Sequence, residues 1–250
     1  MRRIRRVRTE WQEIVIWKSR DVCEFRAEGA THAWYHKRRF LTGLAWDLIA
    51  AGCLLRPEGP PRSVLMLGVA GGTALRTLRH LLPDCELTGV EIDGTLIQLA
   101  REFMALDECR AEIVRADAWT WLLANRRKFD VVVDDLYLAG TDDVYRPHAW
   151  DASRLGLLRR AVAPGGHLAV NLVTGPGHRS AQIHTRRMLR GCFGVVKSIT
   201  TPGGMNEVLV GGGRVEGMRR LMEHAPAFPD RRDRRYWRML AIRGLPAGQG

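Results

Sequence analysis

The feature that most constrains this chain is a continuous apolar run, Ser63-Val64-Leu65-Met66-Leu67-Gly68, that passes straight into a glycine-rich turn and a helical pattern. An apolar strand without alternation suits a parallel sheet covered on both faces, because neither side of the strand meets water. Strand patterns then recur at 86–91, 111–115, 129–134 and 167–172, separated by helical patterns at 73–82, 94–105, 117–126 and 152–163. A helix at 178–190 follows, and then two strands at 194–200 and 206–210 that read as an antiparallel pair at one edge. This alternation predicts an α/β fold whose ligands bind at the carboxyl ends of the strands.

The flanks differ from this core. Residues 1–12 read as a basic tail. Residues 13–60 read as a small β/α cap: strands at 13–17 and 21–27, then an apolar stripe through Phe40, Leu41, Leu44, Ala45, Leu48 and Ile49 at helical spacing. Pro57, Pro60 and Pro61 end the cap. The main domain is expected over 61–213, with a helix and a second basic tail over 214–250. The net charge of +12 is concentrated at the ends. Residues 1–9 carry five arginines and no acid, and 219–243 carry eight arginines against three acids. Only four of the 39 basic residues are lysine, and no nucleic-acid motif accompanies the arginines, so solvated tails are favoured over a nucleic-acid partner. Five scattered cysteines, none in CxxC spacing, argue against a disulfide framework or a structural zinc and suit a reducing cytoplasm. The arginine-rich start lacks a following apolar stretch, so it does not read as a secretory signal. No apolar run reaches the roughly 18–20 residues of a membrane span, so no membrane partner is expected.

The first strand ends in Leu67-Gly68-Val69-Ala70-Gly71-Gly72-Thr73. Glycines there let the backbone turn sharply and approach a ligand. A tight structural turn is the competing explanation. The segment is neither a P-loop nor G-x-G-x-x-G, since Ala70 and Thr73 fill two of the required glycine positions. Acids close the successive strands: Glu91 with Asp93 beyond it, Asp117, and the pair Asp134 and Asp135. Each is a plausible helix cap taken alone. Together at one sheet edge they favour an adenosine-containing ligand, with Glu91 on the ribose hydroxyls and Asp117 on the adenine amino group.

The stretch VLMLGVAGGTALRTLRHLLPDCELTGVEID, with IVRADAWTWL and FDVVVDDLYLAG, resembles the spermidine synthase family within the class I S-adenosylmethionine-dependent transferases. The resemblance covers roughly 13–210 and implies a Rossmann-like class I methyltransferase fold. It implies S-adenosylmethionine, or its decarboxylated form, as the donor, held by Gly68, Ala70, Gly71, Gly72, Glu91, Ile92, Asp117 and Ala118. It also implies Asp135 as the proton acceptor for an attacking amine, with Asp134 and Tyr137 beside it. Family members pair through the N-terminal part, so a homodimer is expected.

Two positions depart from the polyamine-forming pattern. The acid of the glycine loop is Gly71 here, and the second acid of the catalytic loop is Leu138. Losing the first removes a repulsion against the α-carboxylate of the intact donor. Losing the second removes an anion for the far end of a diamine, for which Asp142 and Asp143 are the available substitutes. Methyl transfer to a small-molecule acceptor is therefore the leading expectation, with aminopropyl transfer as the alternative. A non-catalytic ligand-binding or RNA-associated module is a third reading, and a nicotinamide enzyme a distant fourth. The acceptor pocket is expected between the loop 136–150 and the cap. Tyr35, His36, Arg38, Arg39, Tyr137, Tyr145 and His148 are candidate contacts, and Trp119 could flank the adenine, although helix packing explains Trp119 and Trp121 equally well.

Overall fold

The structure, a computed structural model, describes residues 1–140 and 144–245. Four antiparallel strands come first: β1 (Arg2–Arg8), β2 (Glu13–Lys18), β3 (Val22–Ala27) and β4 (Ala30–His36), paired in chain order. Their inner face carries Ile14, Ile16, Cys23, Phe25, Ala27 and Ala33, all buried. Helix α1 (Ala45–Cys53) follows, and it is buried almost all round.

The main domain alternates β5 (Ser63–Leu67), α2 (Thr73–Leu81), β6 (Glu86–Glu91), α3 (Gly94–Phe103), β7 (Glu112–Arg115), α4 (Ala118–Ala124) and β8 (Phe129–Asp134). Two short strands, β9 (Leu138–Ala139) and β10 (Val144–Tyr145), form a separate ribbon. Then come α5 (Ala152–Ala161), β11 (Val162–Val173), α6 (Arg179–Cys192), β12 (Val195–Thr200), β13 (Asn206–Gly212), α7 (Met218–Met222), α8 (Arg231–Arg238) and β14 (Ala241–Gly244). The large sheet runs β14-β12-β13-β11-β8-β5-β6-β7. Its five strands from β11 to β7 are parallel and the other three pairings antiparallel. This is the expected α/β architecture with an antiparallel edge. No helix among the described residues is long and apolar enough to cross a membrane.

Three expectations at the flanks are corrected. Residues 2–8 are not a free tail but β1, paired to β2 from Arg2↔Lys18 to Arg8↔Glu13. Its side chains are almost all exposed, so it lacks the alternation that marks a strand. Likewise 231–244 forms α8 and β14 rather than a basic tail, and Trp237 in α8 is fully buried. The apolar stripe starts one turn too early as a helix. Asp47 accepts hydrogen bonds from Thr42 N, Thr42 Oγ1 and Gly43 N, so 40–44 folds as a loop ahead of α1. Local side-chain bonds of this kind compete with helix.

The cap is fixed to the main domain at the glycine turn. Thr73 Oγ1 donates to Trp34 O (3.0 Å) and accepts from Trp34 N (2.8 Å). Thr77 Oγ1 donates to Phe40 O, and Arg76 Nη1 donates to Arg39 O.

Candidate active site

Strand register brings the acids to one edge. Leu67 pairs with Val90 and with Asp134, Glu91 with Arg115, and Val170 with Asp134. The turns after these strands therefore open on one side of the sheet, where two cavities meet. The larger, about 510 Å³, includes Gly68, Ala70, Glu91, Asp135 and Asn171, with cap residues Gln12, Thr31 and His32 opposite. The smaller, about 150 Å³, includes Ile92, Asp117, Ala118, Trp119 and His148. Gly68, Glu91, Tyr137 and Leu138 line both.

Gly68 has a φ of +84°, and a Cβ there would lie 2.3 Å from the Asp135 carbonyl oxygen. Glycine is thus needed for β8 to pass this close. Ala70 also adopts positive φ, +48°, an uncommon conformation for a residue with a Cβ. Glu91 is buried and bridges the turn: Oε2 accepts Val69 N (3.0 Å) and Ala70 N (2.8 Å), and Oε1 accepts Asp93 N (3.0 Å). Asp117 Oδ1 caps α4 through Thr120 N and Thr120 Oγ1, both 2.8 Å. Its capping role and its place on the smaller cavity coexist.

Gly71 and Gly72 do not line either cavity, contrary to expectation. A Cβ on Gly71 would sit 2.3 Å from the Ala33 Cβ of the cap, and one on Gly72 2.5 Å from Leu106 Cδ1. Both glycines serve packing, and Gly72 ends the turn ahead of α2 at a φ of +79°. Asp93 is a buried cap of α3, bonded to Leu96 N.

The adjacent acids Asp134 and Asp135 have separate fates. Asp134 is fully buried and receives Arg146 Nη1 on both oxygens at 2.7 Å and Trp150 Nε1 at 2.7 Å. It is consumed by these partners and lines neither cavity, which corrects its candidacy as a catalytic group. Asp135 faces the larger cavity and accepts from Asn171 Nδ2 at 2.7 Å. Burial pushes its carboxyl up to about 7, against the pull of Asn171 and Arg146. Asn206 Nδ2 in turn donates to Asn171 Oδ1 at 3.1 Å. Tyr137 OH donates to Asn171 O and accepts from Val173 N, while burial raises its phenol. That hydroxyl orients the strand end rather than standing ready for proton transfer.

The other candidates scatter. Tyr35 lies under Arg76, 4.8 Å from ring centre to guanidinium, and His36 Nδ1 accepts the Arg38 and Arg39 amides, both outside the site. Tyr145 is exposed, and Trp121 packs near Phe129. Asp142 and Asp143 lie outside the described residues. Sequence reasoning missed Asn171, although a lone amide in the apolar strand HLAVNLV was a usable signal. It also missed Gln12, in the turn between β1 and β2, and His32, in β4, because neither β1 nor β4 was legible. Gln12 Oε1 and His32 Nε2 are shut from solvent without a hydrogen-bond partner.

Those features fit an adenosyl sulfonium donor. The ledge of Glu91 separates a narrow cavity bearing Asp117 and Trp119 from a wider one bearing Asp135. The unpartnered Gln12 oxygen is an acceptor that a donor ammonium would satisfy.

A family model described as a methyltransferase domain matches residues 64–166. A "probable polyamine aminopropyl transferase" of Bifidobacterium longum is 31% identical over 137 residues, which is 54% of this chain and 29% of that protein. Polyamine aminopropyltransferase 1 of Streptomyces coelicolor is 34% identical over 121 residues, 45% of this chain and 22% of that protein. The chain thus matches under a third of the length of either relative. Among solved structures, spermidine synthase from Thermotoga maritima superimposes with a TM-score of 0.68 at 19% identity, covering 92% of this chain and 79% of that one. Human methyltransferase-like protein 13 in complex with SAH gives 0.59 at 21%, covering 81% and 93%. In architecture and in its matched segments the chain is thus similar to spermidine synthase-like, S-adenosylmethionine-dependent transferases.

Proposed function

We propose that the chain transfers an alkyl group from an S-adenosylmethionine-type donor to an amine, and that the group is aminopropyl from the decarboxylated donor. The observation that carries the reading is Asp135: a half-buried carboxylate lining the larger cavity, raised to about 7 and held by Asn171. The names of the relatives favour the aminopropyl alternative over the methyl transfer expected from Gly71 and Leu138.

The donor supplies a carbon next to a sulfonium, which departs as a neutral thioether. The residues of this chain do the rest. Glu91 and Asp117 bind the adenosyl end, and Gln12 accepts from an amine at the other end. A protonated amine has no lone pair, so Asp135 must take its proton before attack. A carboxyl raised to about 7 is half ionised near neutral pH and can both accept and release that proton. Holding the nucleophile in line with the carbon supplies much of the remaining acceleration.

A second reading is favoured by one observation. Position 71 abuts Ala33, so no side chain fits where polyamine-forming members carry an acid, which removes the repulsion against an intact methionyl carboxylate. Methyl transfer from S-adenosylmethionine is that reading. Mass spectrometry of products from a panel of amines, run with each donor, separates the two. An adduct heavier by an aminopropyl group is expected with the decarboxylated donor. Methylated product from the intact donor alone would replace it.

A further inference from the structure

Arg146 ties the wall of the two cavities to the strand ends beneath it. It follows β10, which pairs with β9. Tyr137 and Leu138, at the start of that ribbon, line both cavities, and Pro147 and His148, just after Arg146, line the smaller. Arg146 Nη1 reaches both oxygens of Asp134 at 2.7 Å, and Nη2 donates to Asn171 O at 3.0 Å. The guanidinium also lies 4.7 Å from the centre of the Tyr137 ring. These anchors surround Asp135: Asp134 precedes it, Tyr137 follows it, and Asn171 donates to its carboxylate. The Arg146 side chain is 12% exposed, so its charge is weakly screened. Among the described groups that act on Asp135, Arg146 favours the ionised form, whereas Asp134 and Glu91 oppose it. Across the cavity, burial holds the His32 imidazole down at about 4, so it is uncharged near neutral pH. The Tyr137 phenol, raised by burial, is uncharged there too. A buried ion pair adds little net stability over an apolar pair of similar volume, so stability alone does not account for this one.

We propose that Arg146 is a positioning residue with two roles: its fork fixes Tyr137 and the ends of β8 and β11, and its charge keeps Asp135 available as a carboxylate. The inference rests on the reading that Asp135 meets the reacting amine. The roles need different properties of the side chain. A planar fork makes the double contact with Asp134 and the bond to Asn171 O, which a lysine ammonium does not reproduce. The pull on Asp135 needs a cation of either kind.

Two readouts separate these roles in the full-length protein. Carbon-13 NMR of aspartate-labelled protein follows the Asp135 carboxyl without turnover, its signal assigned by its loss in Asp135→Asn. Transfer from decarboxylated or intact S-adenosylmethionine to putrescine or butylamine gives kcat and the amine KM across pH. Arg146→Met should move the carboxyl midpoint and the kcat limb up from about 7 by about one pH unit or more, the scale of a lost opposite charge. Arg146→Lys should bring both back toward 7 while the amine KM stays raised about fivefold, the scale of one lost hydrogen bond. A merely structural arginine would lower the kcat plateau in both variants and leave the midpoint in place. If Arg146→Met does not fold, Asp134→Asn combined with it removes both buried charges and keeps an acceptor for Trp150 Nε1. Arg146 pulls on Asp135 harder than Asp134 pushes, so this double variant should also titrate above the unaltered protein. An unmoved midpoint in either folded Met variant overturns the inference and leaves the transfer reading standing. So does a midpoint in Arg146→Lys displaced as far as in Arg146→Met, or an unchanged amine KM in Arg146→Lys. An unaltered protein that binds neither donor overturns the transfer reading, and the inference falls with it.

Discussion

Two neighbouring carboxylates show how much of this site is decided by partners far along the chain. Asp134 and Asp135 are indistinguishable as letters. Arg146, twelve residues on, and Trp150 neutralise the first, whereas Asn171 gives the second a single side-chain donor. The acids at strand ends were legible, since each closes an apolar run. Which of the pair remains available was not, because the deciding partners come from a loop and from β11. Asp135→Asn should lower kcat roughly 100-fold, within the range for loss of a general base, with a much smaller change in donor Kd. The carboxylate must be ionised to accept a proton, so kcat should rise with pH through about 7 and level off above. That limb should vanish in the variant. Steady-state pH profiles of both proteins check it, and unchanged turnover in Asp135→Asn would remove Asp135 from the chemistry.

At the scale of elements, the glycine turn has two jobs divided between its residues. Gly68 lets β8 approach, while Gly71 lets the cap sit down on α2. The strand–helix alternation was legible because buried parallel strands leave continuous apolar runs. Gly71 was misread as a ligand contact because its constraint comes from Ala33 in β4, a strand whose His32, Trp34 and His36 obscure any simple alternation. β1 was hidden for a related reason: an edge strand exposed on both faces carries no burial signal. Gly71→Ala should destabilise the protein by about 1–3 kcal/mol through overpacking against the cap. Ala33→Gly in the same chain should recover much of that loss, because the two positions touch. Urea denaturation of the single and double variants gives the coupling. Full additivity would show that the cap does not rest on this glycine.

For the molecule as a whole, the C-terminal segment braces a loop at the border of the site instead of trailing from it. Asp233 of α8 accepts Phe40 N at 2.7 Å, and Tyr236 packs on Gly43, so α8 and α1 together clamp the loop 40–44 that borders the larger cavity. The arginine count suggested a tail. The buried Trp237 and Asp233 within that arginine run are what hold it to the fold. The clamp has a signature in stability. Burial raises Asp47 from 3.8 to about 7, so the folded protein binds a proton there that the unfolded chain releases. Its contribution is therefore fully present below pH 3.8 and is lost as pH rises through about 7, at up to about 1.4 kcal/mol per pH unit. Histidines such as His32 and His167, whose imidazoles desolvation lowers, act in the opposite sense. The informative quantity is therefore the difference between wild type and Asp47→Asn. Chemical denaturation across this range should show wild type losing stability relative to the variant as pH rises. A constant difference would mean that Asp47 is not held protonated.

On the proposed reading, an adenosyl sulfonium donor lies across Glu91, between the cavity of Asp117 and that of Asp135. Calorimetric titration of the full chain and of Glu91→Ala with decarboxylated and intact S-adenosylmethionine, and with NAD, tests it directly. A sulfonium donor is expected to bind, and NAD is not. Glu91→Ala should weaken donor binding by about 1.5–3 kcal/mol, on the scale of hydrogen bonds to a charged group. Binding of neither donor, or equal affinity in a folded Glu91→Ala variant, would contradict it.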